Sequence, residues 1–349
     1  MEIYAQNVNG AFLQAIAGGL CGRLRWTKQE SRNGTTYEFN GPVITRYAAP
    51  CQRVLFHSGR DANPFFHFFE ALWMLAGRDD VKFVASLVKR MADYSDDGVK
   101  AQSSYGHRWR HRFGMDQLKL IIDHLRTHPE SRRAVLTMWQ PQADMQGVDY
   151  GTHVVGGLDS KDIPCNTQAY FKVRDGKLQM TVCCRSNDLL WGAYGANVVH
   201  FSMLQEYVAG KLGLPLGPYY QVSDSLHVYT GGEGGKVWDK IVGMYEDDCF
   251  VENDPYLMSG DKRVTPMPMG CGDPEWDEDL KLFFAMYDHN WEFDVTRFST
   301  PWFVGVVLPL WHAYKLRSVY HATSCQASDW RRAAVEWLDR HPSKKEVVL

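Results

Sequence analysis

The segment from Asn63 to Gly77 constrains this chain's fold more than any other. Pro64 opens it where a helix needs no N–H, and Phe65, Phe66, Phe68, Phe69, Leu72, Trp73 and Leu75 follow at spacings that leave apolar groups on most sides of a helix. Such a helix must be covered by other elements nearly all round. Glu70 stands inside the run. Carboxylates are rarely buried unless paired, and burial raises their pKa toward the range useful for proton transfer. Glu70 therefore reads either as an arginine-paired core residue or as a proton-transfer group.

The remaining elements indicate an α+β chain. A helix over about Met115–Arg126 places Leu118, Ile121, Ile122 and Leu125 on one stripe and stops at His128-Pro129; Ala134–Trp139 reads as a strand. Ala169–Cys184 reads as a hairpin around Asp175-Gly176, with strict alternation in Leu178-Gln179-Met180-Thr181-Val182. A helix over about Val198–Leu212 carries Phe201, Leu204, Tyr207 and Val208 on one face, and Leu226–Tyr229 reads as a short strand. Residues 230–275, rich in Gly, Asp and Pro, read as irregular, and Ser328–Arg340 as a capped surface helix with Trp330, Ala334 and Trp337 inward. No repeat or Pro/Ser-rich linker divides the chain. We expect a main domain over 1–230, with 231–349 as an insertion and helical extension packed on the same domain.

Composition narrows the function classes. With 45% hydrophobic and 23% charged residues the chain is that of an ordinary globular protein. Lys+Arg at 38 against Asp+Glu at 41 gives no basic excess for binding duplex DNA, so we expect no nucleic-acid partner. The most apolar stretch, Trp302–Trp311, is far short of the ~20 residues of a membrane helix and contains Pro309, which argues against a membrane partner. Eight scattered cysteines and the lack of a signal-like start predict free thiols in a reducing cytoplasm. Twelve tryptophans suit a flat ligand, a large core or subunit contacts.

Few residues have the company that chemistry requires. Cys165, in Ile163-Pro164-Cys165-Asn166, taken alone is a small buried hydrophobe. Across the predicted hairpin lies Arg185-Ser186-Asn187-Asp188, and a guanidinium beside a thiol favours the thiolate that a nucleophile needs. Arg132-Arg133 is either a solvated surface pair or a bidentate phosphate clamp. His107/His111 and His124/His128 have i,i+4 spacing, but no HExxH or CxxC accompanies them, so no metal is expected. Gly231–Lys236 lacks the pattern of a Walker loop.

Taken in order, Glu70 in Glu-Ala-Leu-Trp, Tyr105-Gly106 with Trp109-Arg110, Ser131-Arg132-Arg133, Pro164-Cys165, Arg185-Ser186-Asn187-Asp188, Gly192 to Asn197, and His227-Val228-Tyr229 resemble the thymidylate synthase family over about residues 30–230. The similarity looks closest to the phage and nucleoside-biosynthesis branch, which includes pyrimidine nucleotide hydroxymethylases and phage DNA modification. The resemblance implies a thymidylate synthase-like fold, a mixed sheet flanked by helices, with a C-terminal extension. It implies a cytoplasmic homodimeric one-carbon transferase, of a bacterium or an infected host cell. Its nucleotide would be a pyrimidine deoxynucleoside monophosphate and its co-substrate 5,10-methylenetetrahydrofolate. Cys165 would add to C6 of the pyrimidine and make C5 nucleophilic. Glu70 and Tyr105 would organise water and proton transfer. Arg185 and Ser186 would hold the phosphate with Arg32, while Arg132 and Arg133 reach in from the partner subunit. His227 and Tyr229 would meet the ribose, and Asp188, Gly192 and Trp73 the folate.

Asn197 bears on the base. A carboxamide offers an acceptor and a donor to N3–H and O4 of uracil, whereas a carboxylate would favour cytosine. Three departures from the family's pattern stand out, the first two bearing on the product and the third on the register of Asn197. Asn166 follows the nucleophile where synthases carry His, a substitution that resembles the hydroxymethylases. No Trp lies between Trp73 and Trp109, where synthases shield an exocyclic methylene from water. The Gly192-to-Asn197 spacing is one residue longer than usual. Glu346-Val347-Val348-Leu349 resembles the synthases' apolar C-terminal lid. The expected product is 5-hydroxymethyl-dUMP, with thymidylate synthesis and dCMP or CMP hydroxymethylation as alternatives. A cysteine hydrolase and a single-stranded nucleic-acid binder are the alternatives from other classes.

Overall fold

The structure, a computed structural model, describes residues 1–22, 25–147, 157–246 and 254–342. In its first half the chain forms β1 (Glu2–Ala5), α1 (Val8–Leu20), β2 (Trp26–Ser31), β3 (Gly34–Phe39), β4 (Val43–Tyr47), α2 (Pro64–Leu75), α3 (Val81–Leu87), α4 (Tyr105–Arg110), α5 (Gln117–Thr127), β5 (Val135–Thr137) and α6 (Pro141–Asp144). Then come β6 (Asn166–Arg174), β7 (Lys177–Asp188), a π-helical turn (Leu189–Ala196), α7 (Asn197–Leu212), β8 (Leu216–Tyr229), α8 (Gly232–Glu246), α9 (Trp276–Asp288), α10 (Leu308–Leu316), α11 (Val319–Thr323) and α12 (Ser328–Arg340).

The α+β expectation holds. Strands run in the order β1-β4-β8-β7-β6-β5, with β3 beside the far end of β8 and β2 outside β3. The β6–β7 hairpin turns at Asp175-Gly176 as its sequence requires. β7 and β8 are parallel neighbours joined through α7, and Ser186, Asn187 and Asp188 of β7 have register partners on β8 in Ser225, Leu226 and His227.

The aromatic run forms α2, entered through Pro64 and capped by Asn63, whose side-chain oxygen accepts from the Phe66 N–H at 3.1 Å. All of α2 except Phe66 is buried. Its cover comes from the C-terminal part of the chain. Phe68 contacts Trp302 and Trp330 with ring centroids 5.6 and 5.0 Å away, Phe69 lies 5.7 Å from Phe283 and 5.1 Å from Trp311, and Phe65 lies 5.6 Å from Trp337. Each such aromatic pair contributes about 0.5–1.5 kcal/mol beyond the apolar area it buries. Trp302, Trp311, Trp330 and Trp337 are thus core residues around α2.

Four expectations are corrected. The strand expected at Leu226–Tyr229 begins ten residues earlier, at Leu216. Its inward positions include Gln221 and Ser223, polar groups buried with partners, which broke the apolar alternation that would have revealed it. The strand expected over Ala134–Trp139 is only Val135–Thr137. Residues 232–246, expected to be irregular, form α8, where Trp238 and Ile241 supply a buried stripe that the glycines obscured. Helix α12 has no side-chain cap: Ala327 precedes it, and the Ser328 hydroxyl instead accepts from the Thr265 N–H and donates to the Thr265 carbonyl.

The Glu346–Leu349 segment lies outside the described residues. Among the described residues no helix is long and apolar enough to cross a membrane, and every cysteine is unpaired.

Candidate active site

Cys165 stands one residue before β6. Pairing of β6 with β7 puts it across from Arg185, whose backbone N–H donates to the Cys165 carbonyl at 2.9 Å. The Arg185 guanidinium folds back over the same loop: Nε donates to the Pro164 carbonyl at 3.0 Å, and Nη2 lies 3.9 Å from Cys165 Sγ. Trp139 lies under the guanidinium, 5.6 Å from ring centre to Cζ. Arg32, in the β2–β3 turn, donates to the Ser160 carbonyl at 2.9 Å, and its charge also acts on the Cys165 thiol.

The resting thiol differs from the expected thiolate. Burial pushes its pKa up, and the two arginines offset this only in part. Desolvation of the anion outweighs two exposed cations screened by water.

Two further groups converge from other elements. Helix α4 packs so tightly on α2 that a Cβ at Gly106 would lie 1.9 Å from the Met74 carbonyl oxygen; only glycine permits that approach. The approach brings Tyr105 to the Cys165 loop, where its hydroxyl accepts from the Asn166 N–H at 3.3 Å. Burial holds the Tyr105 phenol well above its ordinary pKa, so it remains a neutral hydroxyl. The carboxamide of Asn166 is buried, and neither of its polar atoms has a well-formed hydrogen bond among the described residues.

Glu70 is buried on α2, and its partner is a histidine where sequence suggested an arginine: Oε2 lies 2.9 Å from Nε2 of His200 on α7. Trp73, one turn further along α2, is only 2% exposed and its indole N–H donates to Asp80 at 3.1 Å. That fixes α2 against the loop entering α3.

The extra residue between Gly192 and Asn197 is absorbed by the π-helical turn Leu189–Ala196, whose wider i→i+5 repeat takes one more residue than an α turn. Asp188 caps it, accepting from the Leu190 and Trp191 N–H groups at 2.7 and 2.8 Å through one oxygen, while its other oxygen is buried without a partner among the described residues. Burial raises the Asp188 pKa against these bonds and the nearby His227 and Arg60 charges.

The turn delivers Asn197 to a chain of amides. Its Nδ2 donates to Asn187 Oδ1 at 3.0 Å, and Asn187 Nδ2 donates to Ser223 Oγ at 2.9 Å. A Cβ at Gly192 would lie 2.7 Å from Asn187 Oδ1 and 3.1 Å from Asn197 Nδ2, so the glycine is required by this contact. Register pairs Ser186 with Ser225 and Asp188 with His227, and the His227 and Tyr229 rings meet edge to face at 5.4 Å.

Arg132 and Arg133 are exposed and far from their own Cys165. In the β5–β6 register Val135 faces Tyr170. Extending it sets Arg133 beside Lys172, seven positions from Cys165, or roughly 23 Å at about 3.3 Å per strand residue.

Sequence reasoning missed His200, His67 and Arg60. His67 precedes Glu70 by one helical turn and His200 follows Asn197 by one, so i,i+3 spacing from each assigned residue was the available signal. Arg60 is buried, donates to the Leu190 carbonyl at 2.6 Å and stacks 4.1 Å from the exposed Trp191 ring; burial lowers its pKa to about 10.

A half-buried cysteine beside an arginine, a buried glutamate on α2 and an amide relay from α7 through β7 to β8 fit a one-carbon transferase site of the thymidylate synthase type. The family profile "Thymidylate synthase" matches residues 27–237, and the chain belongs to that family. Among similar proteins, the deoxyuridylate hydroxymethyltransferase of Pseudomonas phage M6 is 40% identical over 92% of this chain and 89% of its own. That of Bacillus phage SP01 is 36% identical over 71% of this chain and 65% of its own. A putative thymidylate synthase of Methanosarcina barkeri is 33% identical over 44% of this chain and 65% of its own.

Proposed function

We propose that the protein hydroxymethylates C5 of dUMP, using 5,10-methylenetetrahydrofolate, through a covalent adduct of Cys165 with C6. The observation that carries the choice of base is the orientation of Asn197. With one N–H committed to Asn187, its amide keeps an acceptor oxygen and a second N–H, the complement of N3–H and O4 of uracil. The likeness to phage proteins named for deoxyuridylate hydroxymethylation supports the same reading.

Each residue then has a task. Arg185, Ser186 and Arg32 bind the phosphate, and His227 and Tyr229 the ribose. The β7–β8 pair carries all of these except Arg32, which comes from the β2–β3 turn. Cys165 attacks C6; its thiol must lose a proton that burial retains, and the Arg185 guanidinium favours the anion as it forms. Glu70 removes the C5 proton, while Tyr105 and Asn166 orient water near the nucleophile. Folate supplies the one-carbon unit and fits beside Asp188 and Gly192, where the unpartnered Asp188 oxygen offers an acceptor to a ring N–H. Trp73, expected to meet the folate, is buried within α2 with its indole N–H on Asp80 and supports this region from behind. Water then completes the hydroxymethyl group, as no tryptophan stands between Trp73 and Trp109 to exclude it. Arg132 and Arg133, too distant to serve their own Cys165, serve the partner's site in a homodimer.

Incubation with dUMP and methylenetetrahydrofolate, with the nucleotide identified by mass, tests the proposal. We expect 5-hydroxymethyl-dUMP and tetrahydrofolate. Formation of dTMP with dihydrofolate would establish the synthase reaction instead, and faster turnover of dCMP or CMP would overturn the role of Asn197.

A further inference from the structure

Helices α2 and α7 face each other with matched pairs of polar residues, His67 and Glu70 on one and Asn197 and His200 on the other. Within each pair the spacing is i,i+3, so both members lie on one helix face. Where the faces meet, Glu70 Oε2 and His200 Nε2 are 2.9 Å apart with the residues only 6% and 3% exposed.

This contact differs from an ordinary buried pair. Glu70 Oε2 and both ring nitrogens of His200 lack a well-formed hydrogen bond among the described residues. A histidine buried for structure normally has one ring nitrogen fixed by a carbonyl or carboxylate. Other charged or titratable groups bearing on the pair are His67, which burial, Arg60 and His200 hold well below its ordinary pKa and hence neutral, and Arg60 behind it. His200 lies one turn along α7 from Asn197, the residue proposed above to read the base, which puts the pair on the same helix face as that contact.

We propose that His200 is a positioning residue for the hydration step, holding the Glu70 carboxylate toward the exocyclic carbon and taking up the proton that Glu70 removes from the attacking water. The inference rests on the hydroxymethylation reading above. In this step the water oxygen bonds to the methylene carbon, and the electron pair of its double bond moves through C5 onto O4. One water proton goes to Glu70, whose earlier C5 proton has left on the amine of the departing folate, and on to His200 Nε2. Collapse of the enolate restores C4=O and forms C5=C6, expelling Cys165 as thiolate. The proton held by the pair then returns to that sulfur, which burial disposes to accept it. Water is consumed and no oxidant or reductant is needed.

The test uses His200→Gln and His200→Asn, two amides of different reach, with three readouts: the covalent complex with 5-fluoro-dUMP and folate, tritium release from dUMP labelled at C5, and nucleotide products formed with an added thiol present. We expect complex formation and tritium release within about threefold of wild type, while 5-hydroxymethyl-dUMP falls at least about tenfold and a thioether of the exocyclic carbon replaces it. Unchanged hydroxymethyl product overturns the proposal. Equal loss of all three readouts, or failure of both variants to form the complex, also overturns it, because His200 would then support the site as a whole. Formation of dTMP by the wild-type enzyme would instead overturn the hydroxymethylation reading, a result independent of either variant.

Discussion

The two sides of α2 solve opposite problems with one helix. Toward the C-terminal extension it presents Phe65, Phe68 and Phe69, each matched by a ring of that extension. Toward α7 it presents His67 and Glu70, and Glu70 Oε2 is left without a well-formed hydrogen bond among the described residues. Each side also encloses a buried carboxylate in a different setting. Asp329, on α12, accepts from the Tyr256 hydroxyl at 2.9 Å and from the Trp330 N–H at 2.9 Å, whereas Glu70 Oε2 has an imidazole at contact distance and no well-formed hydrogen bond. Satisfied polar groups and packed rings confer stability, and unsatisfied ones are retained where a reaction needs them.

This contrast predicts separable effects. The largest should follow Glu70→Gln, an isosteric change that keeps the fold and removes the base. Turnover should fall by about 10²–10⁴-fold while the melting temperature stays within a few degrees. Steady-state kinetics beside a thermal melt checks this, and a stability loss of similar size would show that Glu70 is chiefly structural.

Phe69→Ala probes the other side. Removing a ring stacked 5.7 Å from Phe283 and set edge-on to Trp311 leaves a cavity. We expect a loss of about 3–5 kcal/mol in denaturant unfolding, with turnover per folded molecule within about twofold of wild type. A comparable fall in turnover would show that the aromatic side tunes the site.

The smallest effect depends on pH. Burial raises the Asp329 pKa from 3.8 to about 6. A raised folded-state pKa means the protonated acid's contribution is complete below the unfolded value near 4 and is lost as pH rises through 6, a change of up to about 3 kcal/mol. Asp329→Asn keeps an acceptor for Tyr256 without the charge. Its stability relative to wild type should therefore rise between pH 4 and 7 and level off above, as read from denaturant midpoints. A difference independent of pH would mean that nearby Arg53 compensates the Asp329 charge fully.

Much of this was legible in the sequence because it depends on local pattern. The aromatic run specified a helix that must be covered, the Asp175-Gly176 turn specified the hairpin, and the spacing of Cys165 and Arg185 across it predicted their contact. Strand β8 was mostly hidden, because its buried Gln221 and Ser223 are satisfied by partners remote in sequence. Helix α8 was hidden by its glycines.

The site divides the same way. Sequence alone determined which residues could supply a nucleophile, a base and an amide, since side-chain chemistry is intrinsic. Tertiary structure decided what each of them became. Burial set Cys165 above its ordinary pKa despite two arginines, the π turn carried Asn197 into the Asn187–Ser223 relay, and the packing of α2 on α7 gave Glu70 a histidine partner. Desolvation and contact across distant segments depend on where the whole chain lies, which no local stretch of sequence can encode.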